Sequence, residues 1–196
     1  GKIVGTESRA LGVHVDFGPV ADLNNNPRNP VINIRSFGED PSATGELVAN
    51  WVKGLQDAGM LATLKHFPGH GGVGADSHTA LPVDERPLSA IKEHDLVPFS
   101  QLATLLNGVM PAHVVYSAFD SRPAGFSPSW LGMLRESLGF KGCIFSDDLS
   151  MAGAHEAGGP AERAKAALAA GCDMLLICND REAALEVVQA CHDVFN

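Results

Sequence analysis

The sequence predicts an α/β fold on a parallel sheet, and three observations predict it. Strand-like and helix-like segments alternate along the chain. The strand-like segments are continuous apolar runs. Polar residues fall at the C-terminal end of nearly every one, at Asp22, Lys65 and His66, His113, Asp147 and Asn179. Parallel strands need crossover helices, hence the alternation. A sheet covered on both faces needs strands apolar on both faces, hence the runs. Two architectures satisfy this. In an open doubly wound sheet, functional residues gather mainly at a switch point. In an eight-stranded β/α barrel, all C-terminal strand ends converge on one mouth. Polar groups at all five ends favour a TIM-type (β/α)8 barrel. Closing one takes about 200 residues or more. The chain is therefore expected to carry roughly the last five βα units, as a single β/α-barrel domain over 1–196 truncated at its N-terminus.

Taken in order, residues 2–11 read as the end of a helix. Gly1 is not a natural initiator, so the true N-terminus is expected further upstream. Residues 12–21 form the first expected strand, and 42–58 an amphipathic helix with Ser42 as N-cap. The second strand spans 60–66, and the next helix 89–106, begun by Pro87-Leu88. The third strand covers 108–115. A helix over 127–138 follows, with Ser127 as N-cap and Pro128 in its first turn. Residues 142–145 make the fourth strand and 160–170 a helix. Residues 173–178 make the fifth strand, and 181–195 the closing helix. No Gly-rich phosphate fingerprint follows the first strand, and no repeat is visible beyond the βα period.

Composition narrows the function. A chain 45% hydrophobic and 19% charged is that of a globular protein with a real core. The net charge of -9, with no block of Lys and Arg, argues against nucleic acid or an anionic membrane as partner. No apolar run approaches the ~20 residues of a membrane span, and no signal peptide is visible. Cys143, Cys172, Cys178 and Cys191 lack CxxC spacing. They read as free thiols, Cys143 and Cys172 buried, in a reducing, cytoplasmic compartment.

The chemistry concentrates in Lys65-His66-Phe67-Pro68-Gly69-His70-Gly71, followed by Asp76-Ser77-His78. No packing need explains so many titratable groups in one loop. Asp76 stands two residues before His78, so its carboxylate can accept the Nδ1 proton and leave the other nitrogen to give and take protons near neutral pH. The bland alternative is an exposed loop histidine with Asp76 as a turn residue. The Gly71–Gly74 stretch is flexible enough to swing over a substrate. His66, His70, Asp76 and His78 also have the residue types of a zinc site. HExxH spacing is absent and Pro68-Gly69 breaks any helix between His66 and His70, so neither metal nor cofactor is expected. Lys65, if it points into the mouth, can donate to hydroxyls or an acyl oxygen; otherwise it is a solvated lysine. Arg35 offers a planar fork for bidentate bonding, or ties down its own loop. In Ser146-Asp147-Asp148, one carboxylate is expected to face the mouth as nucleophile or electrostatic partner, and the other to cap the following segment. His113 reads as a satisfied core histidine.

Together these motifs resemble the family 3 glycoside hydrolases, and within them the bacterial β-N-acetylglucosaminidases of cell-wall recycling. The resemblance rests on the Lys65–Gly71 and Asp76–His78 motifs, on Met110-Pro111-Ala112-His113-Val114, and on Phe145-Ser146-Asp147-Asp148-Leu149-Ser150-Met151. Arg35-Ser36-Phe37-Gly38, Pro123-Ala124-Gly125-Phe126-Ser127 and Ala170-Gly171-Cys172-Asp173-Met174 extend it over nearly the whole chain. It implies a retaining exo-hydrolysis that removes terminal GlcNAc from peptidoglycan-derived muropeptides. Asp147 would be the nucleophile, and His78, oriented by Asp76, the acid and base. Lys65, His66 and Arg35 would hold the sugar hydroxyls. The usual retaining pattern has two carboxylates, so an Asp–His dyad departs from it. The resemblance also implies further βα units before Gly1, carrying an aspartate for the sugar. Two other readings stay open: a non-catalytic sugar-binding or assembly fragment, and a phosphorylase using phosphate in place of water. The sequence leaves the oligomeric state open.

Overall fold

The computed structural model describes residues 1–195. Its strands are β1 (Val15–Asp16), β2 (Leu61–Phe67), β3 (Val83–Asp84), β4 (Gly108–Pro111), β5 (Val115–Tyr116), β6 (Cys143–Asp148) and β7 (Met174–Leu176). Five make a sheet in the order β1-β2-β4-β6-β7, and every pairing in it is parallel. β3 and β5 form a separate parallel ribbon. The helices are α1 (Lys2–Ala10), α2 (Pro41–Asp57), α3 (Leu88–Glu93), α4 (Val97–Leu102), α5 (Pro128–Gly132), α6 (Pro160–Ala170) and α7 (Arg181–Phe195). The result is a curled parallel sheet with helices, a partial β/α barrel. Because all five strands run the same way, their C-terminal ends share one rim.

Several boundaries differ from expectation, each for a local reason. The first strand is short because Gly18-Pro19 interrupts it, proline having no N–H for the ladder. Hydrogen bonding resumes at the Gly18 carbonyl, which accepts from Thr63 N–H at 3.0 Å, and leads to a bridge from Val20 to Lys65, with Ala21 N–H donating to the Lys65 carbonyl at 2.7 Å. Asp40, not Ser42, caps α2, its side chain accepting from Ala43 N–H at 2.7 Å. Pro41 then fills the first helical position, where no donor is needed. The helix expected over 89–106 breaks into α3 and α4, since Pro98 can sit only in the first turn of a new helix. Ser127 does cap α5, accepting from Trp130 N–H at 3.1 Å. Past Gly132, however, the chain continues as a π-turn over Met133–Ser137. The third expected strand splits into β4 and β5, while β6 runs long enough to include both Asp147 and Asp148. All four cysteines are free. Cys172 is buried, which pushes its thiol up to about 12, whereas Cys143 is only half-buried.

Leu64, Val109 and Ile144, on three adjacent strands, are fully buried. An aromatic group lies close by: Phe67 meets Phe99 and Trp130 edge-on at 5.5 and 6.0 Å, and Tyr116 meets Trp130 at 5.2 Å. The Tyr116 hydroxyl donates to the Gly69 carbonyl at 2.8 Å. The core thus holds the loop after β2 from beneath. No helix among the described residues is long and apolar enough to cross a membrane.

Removing the Leu64 side chain should leave a cavity at the centre of the sheet. Leu64→Ala is expected to cost about 2–5 kcal/mol. Leu105→Ala, at a residue 62% exposed, should stay within about 0.5 kcal/mol of the parent. Urea unfolding midpoints compare the two.

Candidate active site

The site is built around a fully buried carboxylate, Asp22, just past β1. Its Oδ1 accepts from the backbone N–H of His70 at 2.6 Å and of His66 at 3.1 Å. Its Oδ2 lies 2.6 Å from His66 Nδ1. Burial alone would raise the Asp22 pKa. The charge and hydrogen bond of His66, with those of His70, outweigh it and hold the carboxyl below its ordinary range. The His66 ring is thereby oriented, with only 8% of its side chain exposed. The His70 ring stands edge-on to it at 5.8 Å. The Lys65–His66 and Phe67–Pro68 peptides are both cis.

Asp147 and Lys65 share this rim. Asp147 is densely surrounded yet still reached by solvent, and its Oδ1 accepts from Asp148 N–H at 2.8 Å. Burial would raise its pKa, but the charges of His66 and His113, that N–H, and Lys65 bring it below the usual value. Desolvation and the nearby Arg35 guanidinium lower the Lys65 pKa, against the pull of Asp147, Asp22 and Asp16. Arg35 lies in an exposed turn and donates to its own loop at the Val31 carbonyl, 3.1 Å away. Asp148 takes the capping part. Its Oδ1 accepts from Ser150 N–H at 2.9 Å, Ser150 Oγ at 2.7 Å and Cys178 N–H at 3.0 Å. His113, fully buried, meets the Asp148 carbonyl through Nε2 at 3.1 Å and stacks on Phe126 at 5.4 Å. Its Nδ1 has no partner among the described residues, so the core histidine the sequence suggested is only partly satisfied.

Asp76 and His78 form a pair on a more open loop. Asp76 Oδ1 accepts from His78 N–H at 2.9 Å and lies 2.7 Å from its Nδ1. The hydrogen bonds that hold His78 go to Asp76 and not to Asp147. Its side chain is 58% exposed, that of Asp76 33%. Desolvation would raise the Asp76 pKa, but the hydrogen bonds and charge of His78 together bring it below its ordinary value. The possible zinc cluster is divided among separate bonds: His66 with Asp22, His70 with Ser77, and His78 with Asp76.

The glycines between the two halves serve close approach, where the sequence suggested mobility. A Cβ on Gly71 would run into the Leu23 carbonyl, and one on Gly72 into the Arg86 guanidinium. Gly69 has φ +139, and a Cβ there would meet Asp95. Asn29 Nδ2 donates to the His70 carbonyl at 2.8 Å, and Asn26 Nδ2 to the Gly72 carbonyl at 3.0 Å. Beneath them, Arg86 bridges Asp84 (2.6 Å) and Asp95 (2.8 Å). Burial would lower the Arg86 pKa, yet these two partners raise it. Sequence reasoning passed over this network, and it noted Asp22 only as a polar strand end. A carboxylate directly after an apolar strand was the available signal.

The family described as the glycosyl hydrolase family 3 N-terminal domain matches residues 1–194. A β-hexosaminidase of Idiomarina loihiensis is 50% identical over 191 residues, which are 97% of this chain and 57% of that relative. The chain thus spans little more than half the length of that relative. A glycoside hydrolase family 3 β-N-acetylglucosaminidase from Paenibacillus sp. str. FPU-7 is similar with a TM-score of 0.93 at 39% identity, over 96% of this chain and 37% of that one. NagZ from Neisseria gonorrhoeae, solved with N-trifluoroacetyl-D-glucosamine, is similar with a TM-score of 0.87 at 43% identity, over 100% of this chain and 55% of that one.

Two outcomes follow from the buried charges. Asp22→Ala strands two backbone N–H groups and a buried imidazole, and should cost about 3–5 kcal/mol by denaturant unfolding. Burial lowers the pKa of both His70 and His113. An unfolded histidine takes up its proton near pH 6.5, so below that the unfolded chain binds more protons than the folded one. Stability should therefore fall as pH drops from about 6.5 toward the folded values. Asp22 and Asp147, held low, add stability above about pH 4 that is lost as pH falls through their folded values. Unfolding free energies between about pH 2 and 8 check both signs.

Proposed function

The chain belongs to the family of glycosyl hydrolase family 3 N-terminal domains, and we propose that it forms the catalytic barrel of a retaining exo-β-N-acetylglucosaminidase. The observation that carries the reading is Asp147: a carboxylate on the shared rim, reached by solvent and kept ionised by the cations and imidazoles around it. An ionised carboxylate so placed suits attack on an anomeric carbon to form a glycosyl-enzyme. His78, oriented by Asp76 at 2.7 Å, then protonates the leaving oxygen and later deprotonates water. Lys65, His66 and Arg35 hold sugar hydroxyls, His66 with its ring set by Asp22. Because His78 is exposed and bonded to Asp76, its approach to the sugar oxygen belongs to the substrate complex; such bonds commonly tighten only there.

The names of the relatives, β-hexosaminidase and β-N-acetylglucosaminidase, support GlcNAc as the sugar. The finer reading is that the substrate is a GlcNAc-terminated muropeptide and the work is cytoplasmic cell-wall recycling. An imidazole acid fits such a substrate, since it adds no negative charge beside the leaving group.

Intact mass after incubation with a slow, fluorinated N-acetylglucosaminide tests the nucleophile. A gain of one glycosyl unit, lost in Asp147→Asn, is expected; no gain in a protein shown folded by circular dichroism counts against the reading. Asp76→Ala should slow hydrolysis by roughly 10²-fold and shift the pH profile of kcat/KM, and an unchanged profile removes Asp76 from the mechanism. Where Asp147 sets the acid limb, that limb should lie below the usual carboxylate value of about 4.

A further inference from the structure

Between half-buried Asp76 and exposed His78, Ser77 is buried, with 2% of its surface exposed. Its hydroxyl and its carbonyl are both engaged with other segments of the chain. Its Oγ lies 3.0 Å from His70 Nε2. Its carbonyl accepts from Gly153 N–H at 2.9 Å. His70 belongs to the loop after β2 and is fixed by its own N–H to Asp22. Gly153 belongs to the 3-10 helix Ala152–Ala157 that follows β6 and Asp147. A Cβ on Gly153 would come within 2.9 Å of His113 Cβ and 3.1 Å of the Ser77 carbonyl oxygen, so a glycine lets the two segments meet. On the other side, Thr79 and Ala80 N–H donate to the Asp76 carbonyl at 3.0 and 2.9 Å, closing a turn that presents Asp76 and His78 to solvent.

We infer that Ser77 is a positioning residue: it pins the Asp76–His78 loop to the His70 loop and to the segment after Asp147, and so sets where the acid and base group stands relative to the nucleophile. This rests on the glycosidase reading for its catalytic consequence, but the pin itself is a matter of structure. The physical need is plain. His78 has one hydrogen-bonded partner on its own turn and none in the buried half of the site, so without the pin the turn would carry the dyad as a loose unit. A misplacement of about 1 Å is enough to cost proton transfer roughly 10²-fold. His70 can serve as a neutral imidazole in either tautomer, accepting from the hydroxyl or donating to it.

The test pairs two substrates and one structural readout in Ser77→Ala, Ser77→Thr and His70→Phe. A methyl β-N-acetylglucosaminide needs its leaving oxygen protonated, whereas a 2,4-dinitrophenyl one does not. Ser77→Ala and His70→Phe should lower kcat/KM about 10- to 100-fold on the methyl glycoside and within about twofold on the dinitrophenyl glycoside. Ser77→Thr, which keeps the hydroxyl, should restore the first. Hydrogen exchange at the Gly153 amide should quicken about tenfold in Ser77→Ala, and not in Ser77→Thr. Equal losses on both substrates, parental rates on both, or unchanged exchange at Gly153 would each overturn the inference. A parent chain that hydrolyses neither substrate would sink the glycosidase reading, and the exchange comparison would still decide the pin.

Discussion

The rest of the site depends on a single buried carboxylate. Asp22 lies where no water can solvate it, so every lone pair it directs inward must meet a donor. The donors come from the loop after β2: the N–H groups of His66 and His70, and the His66 ring. One side chain therefore orients an imidazole, closes the backbone of a glycine-rich loop and joins that loop to β1. The cost of burying charge is offset only because the geometry is good. That makes the arrangement intolerant of partial loss, since a stranded partner is worse than none.

The site has two unlike halves. Around Asp22, Lys65, His66, His113 and Asp147, electrostatics in a largely desolvated setting act strongly, and pKa values move in directions that leave the carboxylates ionised. Around Asp76 and His78, solvent screens the charges, and orientation comes from hydrogen bonds within one turn. On the proposed reading, a nucleophile gains from the fixed environment of the first half, and an acid and base group, which must exchange protons with water and meet leaving groups of different shape, gains from the open loop of the second.

Legibility in the sequence followed the distance over which each contact reaches. The five parallel strands were readable as apolar runs, although burial on both faces holds only for β4 and most of β2, while β6 alternates and the edge strands β1 and β7 are half-buried or exposed; Asp76–His78 was readable because its partners are two residues apart. The helix over 89–106 was overread: its apolar content continues through Pro98 although its hydrogen bonding cannot. Asp22 was noted and not understood, since its partners stand 44 and 48 residues away. The same limit explains the glycines. Gly71 and Gly72 read as mobility until Leu23 and Arg86, distant in the chain, are seen to fill the space their missing side chains leave. The separate parts given to Asp147 and Asp148 were foreseeable, because neighbouring strand residues point to opposite faces.

That alternation bears on which changes the gene could have tolerated. Ser146 Oγ accepts from Leu176 N–H at 2.9 Å, and Ser150 Oγ donates to the Cys178 carbonyl at 3.0 Å, clamping β6 to β7 on either side of the two aspartates. Gaining one codon between Ser146 and Asp147 would exchange the faces of the two carboxylates. The charge of Asp147 would then be turned toward the cap and that of Asp148 toward the rim. Lineages could vary the loops on this rim in length, but between Ser146 and Ser150 drift should proceed by substitution alone.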